Sequence, residues 1–229
     1  MRGRGVEVPK TLFYTQEEID LLYKAEELRG LEVKPRINDI DLNVLQEYYE
    51  MYLNPFIYQY DISDDKSISS IELRFDEENF CHLMGIESIV RFSVPKKDIH
   101  NFKGKDGWDN IKNIGLSFKD LKNYNKSKFK SVKAKFVYFY LVPEIIEKPI
   151  AVEFKNEDVD PPTRIDCDIL FYTQEENAVV HLGIKKDDDL GYYIPKTFFV
   201  EKLNDDGVDI YIDKQKKIVA TKKKRIIML

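Results

Sequence analysis

The side chains of this chain that could do chemistry are a histidine and a few cations and hydroxyls. His82 lies in the stretch Phe-Asp-Glu-Glu-Asn-Phe-Cys-His-Leu-Met-Gly-Ile, which begins at Phe75. An imidazole titrates near neutral pH, so it can take up or release a proton. The chain has no glycine-rich phosphate loop, Gly-x-Ser-x-Gly elbow, His-Glu-x-x-His or paired Cys-x-x-Cys. We therefore expect chemistry without a cofactor or a metal ion.

RNA cleavage is a reaction that such side chains can perform, because the 2′-hydroxyl is an internal nucleophile. The protein need only orient it, move protons and stabilise charge on the phosphorane. We expect His82 to move a proton. Two cations and two hydroxyls would hold the phosphate and donate hydrogen bonds to it: Arg164, Lys185 or Lys186, Thr197 and Tyr211. Each has a structural alternative, namely a backbone-bonded helix histidine, turn cations, an ordinary strand threonine and a packing tyrosine.

The elements around His82 are set by local signals. Alternating apolar residues predict a strand that ends at Phe75. Asp76 is a good N-cap with Asn79 three residues later, so a short helix follows and carries His82. Gly85 can leave that helix in a left-handed conformation.

The first part of the chain is predicted to be mainly helical. A capping box at Thr15 starts a helix that ends at Gly30, and a second helix runs from about Ile40 to Leu53. Residues 56–60 and 68–75 form a small hairpin. A helix from about Asp109 is broken near residues 115–117, and residues 129–141 could be helix or strand, with helix favoured by the spacing of their apolar residues.

From residue 149 onwards the pattern changes to short strands. We predict them at 150–154, 164–172, 178–184, 192–200, 208–212 and 218–221. Short polar connections favour an antiparallel meander. The expected fold is α+β, with N-terminal helices and a small hairpin packed on a C-terminal antiparallel sheet. Residues 1–40 would form an arm with an appended helix, and residues 41–229 the main domain.

Charge and composition indicate a folded soluble protein with a locally basic surface. The chain has 229 residues, 43% of them hydrophobic, and a net charge of −5. Its two cysteines lie far apart and no apolar signal segment follows the first residues, so we expect a cytoplasmic protein without a membrane partner. Residues 119–135 contain seven lysines against one acid. Four of them would bind RNA, or would simply form a solvated helix face: Lys122, Lys126, Lys130 and Lys133.

Several motifs in order along the chain carry a family resemblance. They are Tyr58-x-Tyr60, Ile71-x-Leu73-x-Phe75, Asn79-Phe80-x-His82-Leu83-x-Gly85-Ile86, Thr163 to Leu170, Leu182 to Lys185 and Tyr193-x-Pro195-x-Thr197. From about Leu42 to Ala220 the chain resembles the fourth class of phage-encoded nuclease-like domains of the barnase–EndoU–colicin–RelE fold. The resemblance implies helices followed by an antiparallel sheet and metal-independent RNase activity. It also implies that His82 is the family's helix histidine and that Thr197 stands at a Ser or Thr position.

Three functions follow as hypotheses. The first is an endoribonuclease toxin or effector of a phage or mobile element, which would cut RNA such as tRNA and meet an antitoxin or a host protein. The second is a non-catalytic interaction protein of the same fold that inhibits a host or phage protein, in keeping with the acidic net charge. The third is a nucleic-acid-binding module that uses the lysines of residues 119–135.

Overall fold

The computed structural model describes residues 22–64, 67–203 and 207–228. Its α-helices are α1 (Leu42–Tyr52), α2 (Glu77–Met84), α3 (Ile86–Val90), α4 (Gly104–Ile114), α5 (Phe118–Tyr124), α6 (Lys126–Tyr138) and α7 (Val142–Glu147). Its strands are β1 (Phe56–Ser63), β2 (Ile68–Arg74), β3 (Ile150–Glu153), β4 (Ile169–Glu175), β5 (Ala178–Lys186), β6 (Tyr193–Lys202) and β7 (Lys216–Ile227). Short 3₁₀ helices span Ala25–Leu28, Lys96–Phe102, Phe139–Leu141 and Asn156–Asp158.

The strands close into a barrel in the order β1-β2-β6-β5-β4-β3-β7, with β7 paired back to β1. All neighbours are antiparallel except β2 and β6, which run parallel and meet at the pair Leu73 and Tyr193. The expected arrangement, in which N-terminal helices and a hairpin pack on a separate antiparallel sheet, is therefore wrong. The hairpin belongs to the sheet itself, because β7 pairs with both β1 and β3. Strand twist then allows the ends of the sheet to meet.

The main core is rich in aromatic side chains that the helices and the barrel bury together. Four fully buried tyrosines each donate a hydroxyl hydrogen bond to a main-chain carbonyl, which removes the penalty for burying that hydroxyl: Tyr48, Tyr49, Tyr58 and Tyr60. The apolar residues Ala25, Leu28 and Ile40 belong to the same core. The division at residue 40 stays a prediction.

A second, smaller core lies on the other face of the C-terminal strands. It contains Val152, Cys167 and Leu170, with Phe199 and Tyr211 packed against it. Every residue of β5 from Ala178 to Ile184 is buried as a result. Continuous apolar strands of this kind occur where a sheet is covered on both faces.

Most predicted elements are present, with corrections at their ends. Residues 129–141 are helical, and Gly115 breaks the preceding helix at φ +66°. The predicted strand at 208–212 is wrong, because Asp209 turns the chain there by accepting hydrogen bonds from Tyr211 and following residues. Residues 164–168 precede β4 as a loop. Of the predicted helix from Thr15, residues 15–21 lie outside the described part, and the short 3₁₀ helix at 25–28 replaces its end.

Candidate active site

Helix α2, which carries His82, has a well-defined cap at each end. The predicted capping box is present, with the Asn79 side chain accepting a hydrogen bond from the Asp76 amide at 2.9 Å. Gly85 ends the helix at φ +71°, and its N–H bonds the last carbonyls. The helix buries Phe80, Leu83 and Met84, which leaves the His82 side chain exposed. The ring is thus fixed at the surface by a well-anchored helix.

The imidazole of His82 binds the backbone of β6 at a bulge. Its Nε2 lies 2.9 Å from the carbonyl oxygen of Lys196. Lys196 is the extra residue there, because Gly183 pairs with Thr197 while Ile184 pairs with Pro195. A carbonyl only accepts, so Nε2 carries the proton and Nδ1 of the neutral ring keeps a lone pair. His82 therefore offers a basic nitrogen while the bulge fixes the orientation of the ring.

The surroundings of His82 lower its pKa and so favour the neutral form of the imidazole. Partial burial lowers the pKa below its usual 6.5, and the positive charges of Lys135 and Lys196 lower it further. The hydrogen bond to the Lys196 carbonyl acts in the opposite direction. An imidazole in this setting is uncharged at pH 7, the state that a general base requires.

Lys135 is a second titratable group at the same end of α2. It lies on α6, which packs against β6, and its Nζ donates a 3.1 Å hydrogen bond to the Leu83 carbonyl. Burial lowers the pKa of Lys135 to about 8. The ammonium is therefore mostly protonated at pH 7 but gives up its proton more readily than an exposed lysine. Sequence reasoning missed Lys135 because it read residues 119–135 as one basic stretch, although the position next to Phe136 indicated partial burial.

Residues 42–227 match the family model described as phage-Barnase-EndoU-ColicinE5/D-RelE like nuclease4. The chain belongs to this family. The match runs from the first residue of α1 to the last residue of β7, so it spans the whole barrel. It confirms the family that the motifs resemble. The comparisons with curated proteins and with solved structures gave no match.

In this member of the phage nuclease family, three of the predicted site residues lie on the face of β5 and β6 that carries the second core. They are Lys185, Thr197 and Tyr211. Lys185 pairs with Asp166 at the surface. Thr197 lies opposite Gly183 in the register, and Tyr211 packs against the Phe199 ring with centroids 4.8 Å apart. His82 belongs to the helix that packs with Phe198 in the main core, on the opposite face, and it contacts β6 at the carbonyl of Lys196. The catalytic roles stay predictions.

Arg164 is exposed on the loop before β4. It lies two residues before Asp166, the residue with which Lys185 pairs.

The predicted RNA-binding lysines lie on α5 and α6. Lys126, Lys130 and Lys133 are exposed, and their spacing of four and three residues places them on one side of α6. Lys122 is partly buried, with its Nζ 5.1 Å from the centre of the Phe129 ring. The predicted basic helix face thus exists, and its binding of RNA stays a prediction.

His181 is a buried histidine that sequence reasoning did not single out. It is fully buried on β5, and its ring stacks on Phe199 at 4.3 Å with an interplanar angle of 8°. Its Nε2 lies 2.7 Å from Oδ2 of Asp209. The signal was a single polar residue inside the apolar run from Ala178 to Ile184, which requires a buried partner. His181 is closed off from solvent, so it supports the structure of the site face.

Residues 22–64, 67–203 and 207–228 contain no group of three or more His, Cys, Asp or Glu side chains placed to hold a metal ion. Within the same ranges, every helix is too short or too polar to span a membrane.

Proposed function

We propose that this protein is a metal-independent endoribonuclease in which His82 is the general base and Lys135 the general acid. The observation that carries the proposal is the joint placement of these two groups at the end of α2. One is an exposed imidazole with its ring fixed by Lys196, and the other is a half-buried amine on the adjoining helix. Both pKa values are lowered, that of His82 below 6.5 by burial and nearby lysines and that of Lys135 to about 8 by burial. A base that is neutral and an acid that is charged at pH 7 are what in-line RNA cleavage needs.

The reaction proceeds by one displacement at phosphorus. Nδ1 of His82 takes the proton of the 2′-hydroxyl, and the 2′-oxygen attacks phosphorus as the bond to the 5′-oxygen breaks. The ammonium of Lys135 gives its proton to the leaving 5′-oxygen. The products are a 2′,3′-cyclic phosphate and a 5′-hydroxyl. The Lys196 side chain, on the residue whose carbonyl holds His82, would stabilise the charge on the phosphorane.

The remaining predicted residues fit this scheme to different degrees. Arg164 and Lys185 would contact phosphates next to the cleaved bond from the loop and strand beside Thr197. The lysines on one side of α6 would guide the RNA backbone, since Lys135 is on the same helix. Tyr211 packs against Phe199 and His181, so it is left out of the chemistry.

The phage family supports a proposal for the biological setting. We propose that the protein acts in the cytoplasm as a toxin or effector of a phage or mobile element. An antitoxin or a host protein would be its partner, and tRNA a substrate. Neighbouring genes give a direct test, because a small companion reading frame would indicate an antitoxin.

Cleavage is tested by incubating the purified protein with total RNA and with tRNA in EDTA. Fragments ending in 2′,3′-cyclic phosphate are expected. His82→Gln should abolish them, because a glutamine amide can still donate to Lys196 but cannot take up the proton. His100→Gln is the matched control: His100 is exposed and bonded to the Lys97 carbonyl away from this site.

Intact RNA at large protein excess, or full activity of His82→Gln, would contradict the proposal. Intact RNA combined with stoichiometric capture of a single phage or host protein would support the non-catalytic interaction protein instead.

A further inference from the structure

A cleft of about 630 Å³ opens where β2 meets β6. Polar side chains of β1 and β2, among them Gln59 and Ser70, form its floor. Lys224 of β7 lines one side, and Lys186 and Tyr193 of the β5–β6 hairpin line another. The volume is in the range of small-molecule sites, and the lining is mainly polar and cationic.

The side chains that line the cleft include three lysines against two carboxylates, so the lining is positively charged. The carboxylate of Asp168 lies beside it, where it accepts a hydrogen bond from the Lys186 amide. Of the two carboxylates in the lining, Asp61 lies 3.1 Å from the Lys223 Nζ and accepts a hydrogen bond from Ser70, and Glu72 pairs with Arg74. Lys186 and Lys224 are exposed, and neither forms an ion pair within the described ranges. Two amino groups therefore remain available beside hydroxyl and amide groups that can bind a ribose or a base edge.

Two rigid elements connect the cleft to the proposed active site. Tyr193 precedes Lys196 by three residues on β6, which is about 10 Å at the rise of a strand. The Tyr192 hydroxyl donates to Asp76 at 3.3 Å, and His82 follows six residues later, about 9 Å along the helix. Both paths place the rim of the cleft within a few nucleotides of His82.

We infer that this cleft is an RNA subsite that holds nucleotides flanking the cleaved bond. Lys186 and Lys224 bind phosphates, Gln59 and Ser70 bind sugar or base edges, and the half-buried ring of Tyr193 supports a base. The inference rests on the proposed endoribonuclease function and adds where the flanking strand lies. Hydroxyl and amide groups on the floor favour RNA over an acidic polypeptide, which would need mainly cations.

The test measures binding of a fluorescein-labelled single-stranded RNA to the full-length His82→Gln protein, which leaves the RNA uncut. Adding Lys186→Glu and Lys224→Glu should raise Kd about tenfold or more, since two phosphate contacts are lost. The milder pair Lys186→Gln and Lys224→Gln should lower the slope of log Kd against log salt by about 1.4. The matched control is Lys97→Glu with Lys202→Glu, two exposed lysines outside the cleft, which should change Kd less than threefold. Thermal unfolding confirms that each variant is folded.

Equal weakening by the cleft and control pairs would overturn the subsite, and so would an unchanged Kd. Tighter binding of a poly-glutamate peptide than of RNA would also overturn it, in favour of a protein partner. The two proposals fail separately. If the wild-type protein cleaves RNA but the cleft variants bind RNA normally, the subsite is wrong and the nuclease proposal stands. Selective loss of binding without any wild-type cleavage would contradict the nuclease proposal and leave the cleft as an RNA-binding site without a cleaved bond beside it.

Discussion

His181 Nε2 lies 2.7 Å from Asp209 Oδ2, and both side chains are almost completely buried. The pair joins β5 to the segment that leads into β7. The other carboxylate oxygen of Asp209 accepts a hydrogen bond from the Tyr211 amide, which places Tyr211 over Phe199. One buried pair therefore fixes the segment that covers the second core.

Removing one member of this pair should destabilise the fold strongly. His181→Phe leaves the Asp209 carboxylate buried without this neighbour, so the free energy of unfolding should fall by about 1–3 kcal/mol. The double variant His181→Phe with Asp209→Leu removes both polar groups and should recover much of the loss. Urea unfolding measures each value, with exposed His100→Phe as a control within about 0.5 kcal/mol. Equal losses in the single and double variants would contradict the pairing.

The pH dependence of RNA cleavage should be bell-shaped. Activity requires neutral His82, so it should rise with pH through a pKa below 6.5 and reach its plateau above that value. Activity also requires charged Lys135, so it should fall as pH rises through about 8. The measurement is kcat/KM against pH. In Lys135→Arg kcat/KM should fall sharply over the whole range, because an arginine that keeps its proton cannot give it to the leaving oxygen. The alkaline limb near pH 8 should be missing from whatever activity remains. An unchanged alkaline limb in Lys135→Arg would exclude Lys135 as the general acid.

The close approach of Thr197 to Gly183 should make this glycine hard to replace. A Cβ at Gly183 would lie 2.5 Å from the Thr197 methyl group and 2.9 Å from the Cys167 sulfur. Gly183→Ala should therefore cost about 1–3 kcal/mol of stability. It should also lower cleavage by shifting the β6 bulge whose carbonyl holds His82. Thr197→Ser, which keeps the hydroxyl and removes the methyl, should restore part of both losses. Gly30→Ala is the contrast, because its Cβ meets nothing within 4 Å and only its φ of +82° opposes it.

The basic side of α6 should contribute to RNA binding in proportion to its charge. Replacing Lys126, Lys130 and Lys133 together by glutamine should weaken binding and lower the slope of log Kd against log salt by about 2. Lys128→Gln is the matched control, since Lys128 is exposed on the opposite side of the same helix. If the triple variant shows the same slope of log Kd against log salt as the control, these lysines do not bind RNA and the helix face is simply solvated.

The sequence predicts α2 well because its signals are local. The N-cap Asp76, its partner Asn79 and the terminal Gly85 act within one turn of each end, and all three are present as expected. The carbonyl that His82 binds could not be foreseen, since it depends on a bulge in β6, which the pairing with β5 determines. Lys135 and His181 were missed for a related reason. Their significance lies in burial against distant elements, which composition and periodicity do not report.

Closure of the barrel could not be predicted from the sequence either, because it also depends on contacts between distant parts of the chain. The Lys-rich β7 was predicted over four residues, but pairing with β1 and β3 extends it to twelve, because flanking strands supply the hydrogen bonds that its own residue types do not favour. A local pattern cannot reveal such a pairing across most of the chain.

The position of β7 between β1 and β3 has a consequence for how the protein is made. Strand β1 is synthesised early, and one of its edges stays unpaired until β7 has been synthesised. Such long-range pairing forms slowly. A ribosome translating this chain therefore carries only an open sheet for most of the process, and the complete barrel arises near the moment when β7 leaves it.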